Sequence, residues 1–249
     1  MKKFWLGILI WCAVAAQEQK PLTVAAAANL TDVFAEVAAK FRAQTGIGVV
    51  YSFGATANLT MQAEHGAPFD VFAAADVAHV DALDKEGLLT PGSKAVYARG
   101  RLVLWTPPGS RAHVSRVEDL KDDDVKIVAI ANPKLAPYGA AAVEVLHRLG
   151  LWSAVEPKVV YAETISAARQ FAATGNADAA FTAYSLVLRA GGSTIEIPGN
   201  LHAPLDQAAG ILRSSGQQNE ARQFVQFLLG PRGREILGRY GYELPSTGP

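Results

Sequence analysis

The sequence has one cysteine in 249 residues, and its position decides what that scarcity means. Cys12 lies at the end of the apolar run Phe4-Trp5-Leu6-Gly7-Ile8-Leu9-Ile10-Trp11, which follows Met1-Lys2-Lys3 and leads into Ala13-Val14-Ala15-Ala16. A positive start, a short apolar stretch and a small-residue exit are the parts of a secretory signal peptide, here 1–16. The run is shorter than the about 20 residues a helix needs to cross a bilayer. The polar Gln17-Glu18-Gln19-Lys20 that follows argues against a retained anchor. Trp11 is too large for the small residue that precedes a lipidated cysteine, so lipid attachment at Cys12 is disfavoured. Removal of 1–16 leaves a chain with no cysteine, which excludes disulfides, Cys-zinc sites and thiol catalysis.

Charge of one sign is also lacking. Lys plus Arg number 23 and Asp plus Glu number 23, so nothing points to nucleic acid or to a solvating acidic tail. His65, His79, His113, His147 and His202 are scattered without ligand spacing, and no bare metal cation is expected. No Gly-rich Lys-Ser/Thr loop cradles a nucleotide phosphate. The sequence holds no internal repeat, no low-complexity stretch and no Ser/Gly-rich tether.

What is present is an alternation. Half of the residues are hydrophobic, enough for one large core or two modest ones. Leu22 to Ala27 reads as a buried strand, then Leu30, Val33, Phe34, Val37, Ala38 and Phe41 recur at helical spacing up to Gly46. Further strands are expected at Val49–Phe53, Asp70–Ala75, Leu102–Thr106, Val125–Ala131, Val159–Tyr161 and Ala179–Tyr184. Helices follow most of them, one capped by Asp76, and two close the chain at about 219–229 and 231–240. Short turns between strand and helix predict α/β architecture with parallel sheets covered on both faces. The length favours two doubly wound lobes, 17–99 with 205–249 and 100–204, joined by two crossing strands sought at Tyr97–Leu104 and Leu205–Leu212.

Ligands of such sheets sit beyond the carboxyl ends of strands. Four turns there have small or hydroxyl-bearing residues and no Lys or Arg: Ala27-Ala28-Asn29, Gly54-Ala55-Thr56-Ala57-Asn58, Pro137-Tyr138-Gly139 and Glu163-Thr164-Ile165-Ser166. Each opens a helix, so each presents unpaired N–H groups and the positive end of a helix dipole. Taken singly, Asn and Thr at helix starts are ordinary caps. Four such turns together make a ligand site a competing reading.

The runs Ala25-Ala26-Ala27-Ala28-Asn29-Leu30, Ser52 to Leu59 and Gly66 to Asp76 resemble the periplasmic molybdate-binding proteins. The ending Phe224 to Pro231 and Arg239-Tyr240-Gly241-Tyr242 is similar to the same family's C-terminus. The resemblance implies the type II periplasmic-binding fold, with a cleft between two lobes. It implies a non-enzymatic, monomeric, periplasmic protein without cofactor. Such a protein captures molybdate or tungstate and delivers it to an ABC permease driven by a cytoplasmic ATPase.

By resemblance, Asn29, with Ala28 beside it, and Thr56 bind the oxyanion from the first lobe. Tyr138 and Ile165 bind from the second through backbone N–H, and Tyr184 matches a tyrosine whose hydroxyl reaches the anion in some members. Asn29 stands where a serine is frequent, and Thr56 where the family has a serine-rich turn. Sulfate binding and an enzyme on the same two-lobed fold are the alternatives. The related deaminases, however, need a cysteine that the mature chain lacks.

Overall fold

The computed structural model describes residues 20–245, so the signal peptide and Cys12 lie outside the described residues. In chain order the elements are β1 (Leu22–Ala27), α1 (Thr31–Thr45), β2 (Val49–Gly54), α2 (Thr56–Glu64), β3 (Val71–Ala74), α3 (Val77–Lys85) and β4 (Ala95–Arg99). Then come β5 (Leu102–Thr106), β6 (Val128–Ala131), α4 (Pro137–Arg148), α5 (Trp152–Val155), β7 (Val159–Ala162), α6 (Ile165–Ala173), β8 (Ala179–Ala183), α7 (Tyr184–Val187) and β9 (Ser193–Glu196). The chain ends with β10 (Asp206–Ile211), α8 (Gln218–Leu229) and α9 (Pro231–Arg239).

Local chemistry sets these limits. Val33, Phe34, Val37 and Phe41 form the buried stripe of α1, and Gly46 at φ 79° ends it with its N–H on the Arg42 carbonyl. Phe34 and Phe41 meet Phe224 of α8 edge-on, with ring centroids 6.1 and 5.4 Å apart, tying the C-terminal helix to the first lobe. Burying each such ring contributes about 1.5–3 kcal/mol. Asp76 caps α3 as expected, accepting from the His79 N–H at 3.1 Å.

Two five-stranded sheets result, ordered β2-β1-β3-β10-β4 and β7-β6-β8-β5-β9. They are mixed, which corrects the expectation of purely parallel sheets. β10 runs antiparallel to β3 and β4, and β5 antiparallel to β8 and β9. A fully buried run shows that a strand is central, but it does not carry the strand's direction. β4 and β9 are the edge strands on which β10 and β5 rest; β9, Ser-Thr-Ile-Glu, has no apolar run to mark it in the sequence. The chain passes from the first sheet to the second at Gly100-Arg101 and returns over 197–205, ahead of β10. The two passages touch where the Gly100 N–H meets the Leu205 carbonyl at 2.9 Å.

Candidate functional site

The strand ends of both sheets face one another across a small cavity. Ala27, Ala28 and Asn29 follow β1; Gly54, Ala55 and Thr56 follow β2; Ala75 follows β3. Ala136, Pro137 and Tyr138 open α4 from the other lobe, and Ile165 opens α6. The cavity's free volume is about 10 Å³, room for about one water-sized body between the two lobes. Pockets for drug-sized organic ligands run about 300–1,000 Å³. No carboxylate, histidine, lysine or arginine is among the residues lining it.

The helix ends explain what the cavity wants. The residues preceding the helical turns at Ala28, Thr56 and Pro137 are Ala27, Ala55 and Ala136, and none supplies a side-chain cap. Alanine is among the poorest N-caps, and helix starts buried without a partner are unusual. The N–H groups of Asn29, Thr56, Tyr138 and Ile165 all stand in first turns, where no intrahelical acceptor exists. Only at α6 is there a cap, with Thr164 Oγ1 accepting from the Ala167 N–H at 3.1 Å and leaving the first N–H at Ile165 unclaimed by it. Four uncharged donors and four dipole ends from two lobes converge on a space that an anion would fill.

Thr56 adds a hydroxyl. Its Oγ1 accepts from the Ala75 N–H at 3.3 Å, so its own proton is left to donate. Gly139 lets α4 approach so closely: a β-carbon there would stand 2.0 Å from the Ala131 carbonyl oxygen of β6. Across the cleft the Ala57 N–H meets the Leu135 carbonyl at 3.1 Å, and Asn58 Nδ2 donates to Glu163 Oε1 at 2.9 Å. The lobes are therefore in contact over the cavity.

The structure brings Ala28, Asn29, Thr56, Tyr138 and Ile165 together, but it turns the Asn29 amide and the Tyr138 ring away from the cavity and sets Tyr184 apart. Both amide protons of Asn29 are engaged, Nδ2 donating to Gln207 Oε1 at 2.8 Å and to Tyr242 Oη at 2.9 Å. Its Oδ1 is sealed from solvent, so Asn29 offers the cavity its backbone. The Tyr138 ring turns toward the crossing, where a β-carbon on Gly100 would stand 1.9 Å from its hydroxyl. That hydroxyl is buried without a partner, and burial raises its pKa well above 10.0, so it stays neutral. Tyr184 is not among the lining residues. Its ring lies under the Arg101 guanidinium at 4.4 Å and packs on Gly241, and it opens α7 instead of ending β8.

Sequence reasoning passed over Ala75, Ala136, Gln207, Ser185 and Tyr242. Two signals could have marked the place: alanines standing where caps belong, and a lone glutamine inside the apolar strand β10.

Comparison with known proteins agrees with this geometry. The family model of the bacterial extracellular solute-binding protein matches residues 22–243. The molybdate-binding protein ModA of Azotobacter vinelandii is 43% identical over 243 residues, 96% of this chain and 94% of that one. ModA of Rhodobacter capsulatus is 42% identical over 222 residues, 88% of this chain and 86% of that one. Among solved structures, the periplasmic molybdate-binding protein of Azotobacter vinelandii superposes with a TM-score of 0.85 at 35% identity. It covers 90% of this chain and 100% of that one.

Proposed function

The chain belongs to the bacterial extracellular solute-binding protein family, and from that premise we propose that it captures molybdate in the periplasm and hands it to an ABC permease. The observation that carries the reading is the convergence of uncapped helix starts from two lobes, with one free hydroxyl proton, on one small cavity without charged side chains. Hydrogen bonds to a charged group contribute about 1.5–3 kcal/mol each. A handful therefore holds a dianion without a fixed cation.

The donors in this reading are the N–H groups of Asn29, Thr56, Tyr138 and Ile165 and the Thr56 hydroxyl, with Ala28 lining the wall. The lobes, 17–99 with 205–249 and 100–204, close over the ion as a monomer, and the closed form docks on the permease, whose ATPase supplies the energy. The signal peptide 1–16 directs export.

Selectivity follows from the same donors. A site that only donates leaves the proton of a hydrogen phosphate without an acceptor, at a cost of about 1–3 kcal/mol. Sulfate is smaller than molybdate and overstretches the ring of donors, whereas tungstate, of nearly equal size and charge, binds almost equally. An enzyme on this fold would need a general acid, base or nucleophile at the cavity, and the lining offers only the hydroxyls of Thr56 and Tyr138, the second of them turned to the crossing.

Calorimetry with molybdate, tungstate, sulfate and phosphate tests the proposal. Heat from the first two and weak or absent heat from the others is expected. No response to molybdate or tungstate overturns it.

A further inference from the structure

Behind the cavity lies a polar ring that anion contact alone does not require. Asn29 Nδ2 donates to Tyr242 Oη at 2.9 Å, Tyr242 Oη donates to Ser185 Oγ at 3.1 Å, and Ser185 Oγ donates to the Asn29 carbonyl at 3.1 Å. Tyr242 Oη also stands 2.9 Å from that carbonyl, an alternative acceptor for the same proton. The orientation of Asn29 is imposed from outside the ring. Gln207 Nε2 spends its protons on the carbonyls of Ala75 and Leu205, at 3.1 and 2.9 Å, so Gln207 turns its Oε1 to Asn29. All four side chains are buried.

The ring spans the cleft. Asn29, Gln207 and Tyr242 belong to the part of the chain built on the first sheet, and Ser185 follows β8 of the second. Asn29 is at once a wall of the cavity and the acceptor of the hydroxyl from the opposite lobe.

We propose that Ser185 and Tyr242 are positioning residues that clasp the closed form through Asn29, so that they set how long the anion is held and not which anion is chosen. Opening the lobes withdraws Ser185, breaks the ring and takes from the Asn29 carbonyl and the Tyr242 hydroxyl the partner that the opposite lobe supplies. The clasp touches no anion. It acts on the closed state alone, and its loss speeds release while leaving capture unchanged. This inference rests on the oxyanion reading above.

Stopped-flow release and calorimetry on Ser185→Ala, with molybdate, tungstate and sulfate, test it. Release is expected to quicken roughly two- to tenfold for each anion that the wild type binds, the worth of one neutral buried hydrogen bond. The association rate and the ratio of affinities among the anions should stay as in the wild type. Ser185→Thr, which keeps the hydroxyl, should restore slow release. Tyr242→Phe combined with Ser185→Ala should cost less than the sum of the two, because both break one ring. A wild type that binds molybdate beside a Ser185→Ala variant with unchanged release refutes the clasp alone. A variant that alters the molybdate-to-sulfate ratio refutes it too, by making Ser185 a selector. A wild type that binds none of the anions refutes the oxyanion reading and the clasp with it.

Discussion

Replacing Thr56 by valine removes one proton from the cavity while nearly preserving shape, and its effect separates into two measurable parts. In the first, the anion loses a hydroxyl donor. A hydrogen bond to a charged group contributes about 1.5–3 kcal/mol, so affinity should fall about 10- to 150-fold. In the second, the Ala75 N–H loses the Oγ1 that accepts it at 3.3 Å. That bond is long, and an orphaned buried donor costs at least about 1 kcal/mol, a drop of about 2–4 °C in the melting temperature of a domain this size. The second cost falls on the free and loaded protein alike and cancels from the binding constant. Calorimetry with molybdate reads the first part, and thermal unfolding of the ligand-free protein reads the second. Thr56→Ser, which keeps the oxygen and the proton, should bind within about threefold of wild type, well inside the loss set by a charged hydrogen bond. Wild-type affinity in Thr56→Val would remove this hydroxyl from the site and refute the assignment of its free proton.

Tyr138→Phe and Tyr184→Phe should each bind molybdate within about twofold of wild type, since one hydroxyl is sealed beside Gly100 and the other ring lies under Arg101. Tyr138→Phe should also melt no lower than wild type, because it deletes a buried hydroxyl that has no partner; a tenfold loss of affinity in either variant would put that hydroxyl on the anion. Alkaline pH gives a further test: burial raises the pKa values of Tyr51, Tyr97, Tyr138 and Tyr242 above the ordinary 10.0. The folded protein therefore holds protons that the unfolded chain loses, and the stability contributed is full below pH 10.0 and declines above it. Tyrosinate absorbance followed beside circular dichroism should show these four ionising together with unfolding, and ionisation of all tyrosines near pH 10 in a still-folded protein would contradict their burial.

Much of the fold was legible because local chemistry and global packing agree here. Periodicity placed α1 and α8, Gly46 placed the end of α1, and Asp76 announced its own cap. The direction of β5 and β10 was not legible, since central strands buried on both faces look alike whichever way they run. The four turns that meet at the cavity were legible, but the aim of their side chains was not. Residue type alone offers the Asn29 amide as a donor to the ligand, yet Gln207 and Tyr242, 178 and 213 residues further along the chain, occupy both of its protons. A hydrogen-bond partner that distant leaves no trace in local pattern.

One signal was legible and passed over, and it bears on why a neutral protein can hold an anion. Serine or aspartate would be the ordinary residue at positions 27, 55 and 136, and alanine in its place forgoes about 0.5–2 kcal/mol at each helix start. A capping oxygen there would occupy the N–H groups and put an acceptor against the anion. Alanine leaves those groups bare, close and rigidly held by the sheets beneath. In the site proposed above, the ligand becomes the missing cap for helices of both lobes at once, and that shared role favours the closed arrangement over one in which the lobes stand apart. A lysine in the cavity would attract the ion equally well from a single lobe and give closure no advantage. In the proposed site, neutrality is thus what couples binding to closure of the lobes.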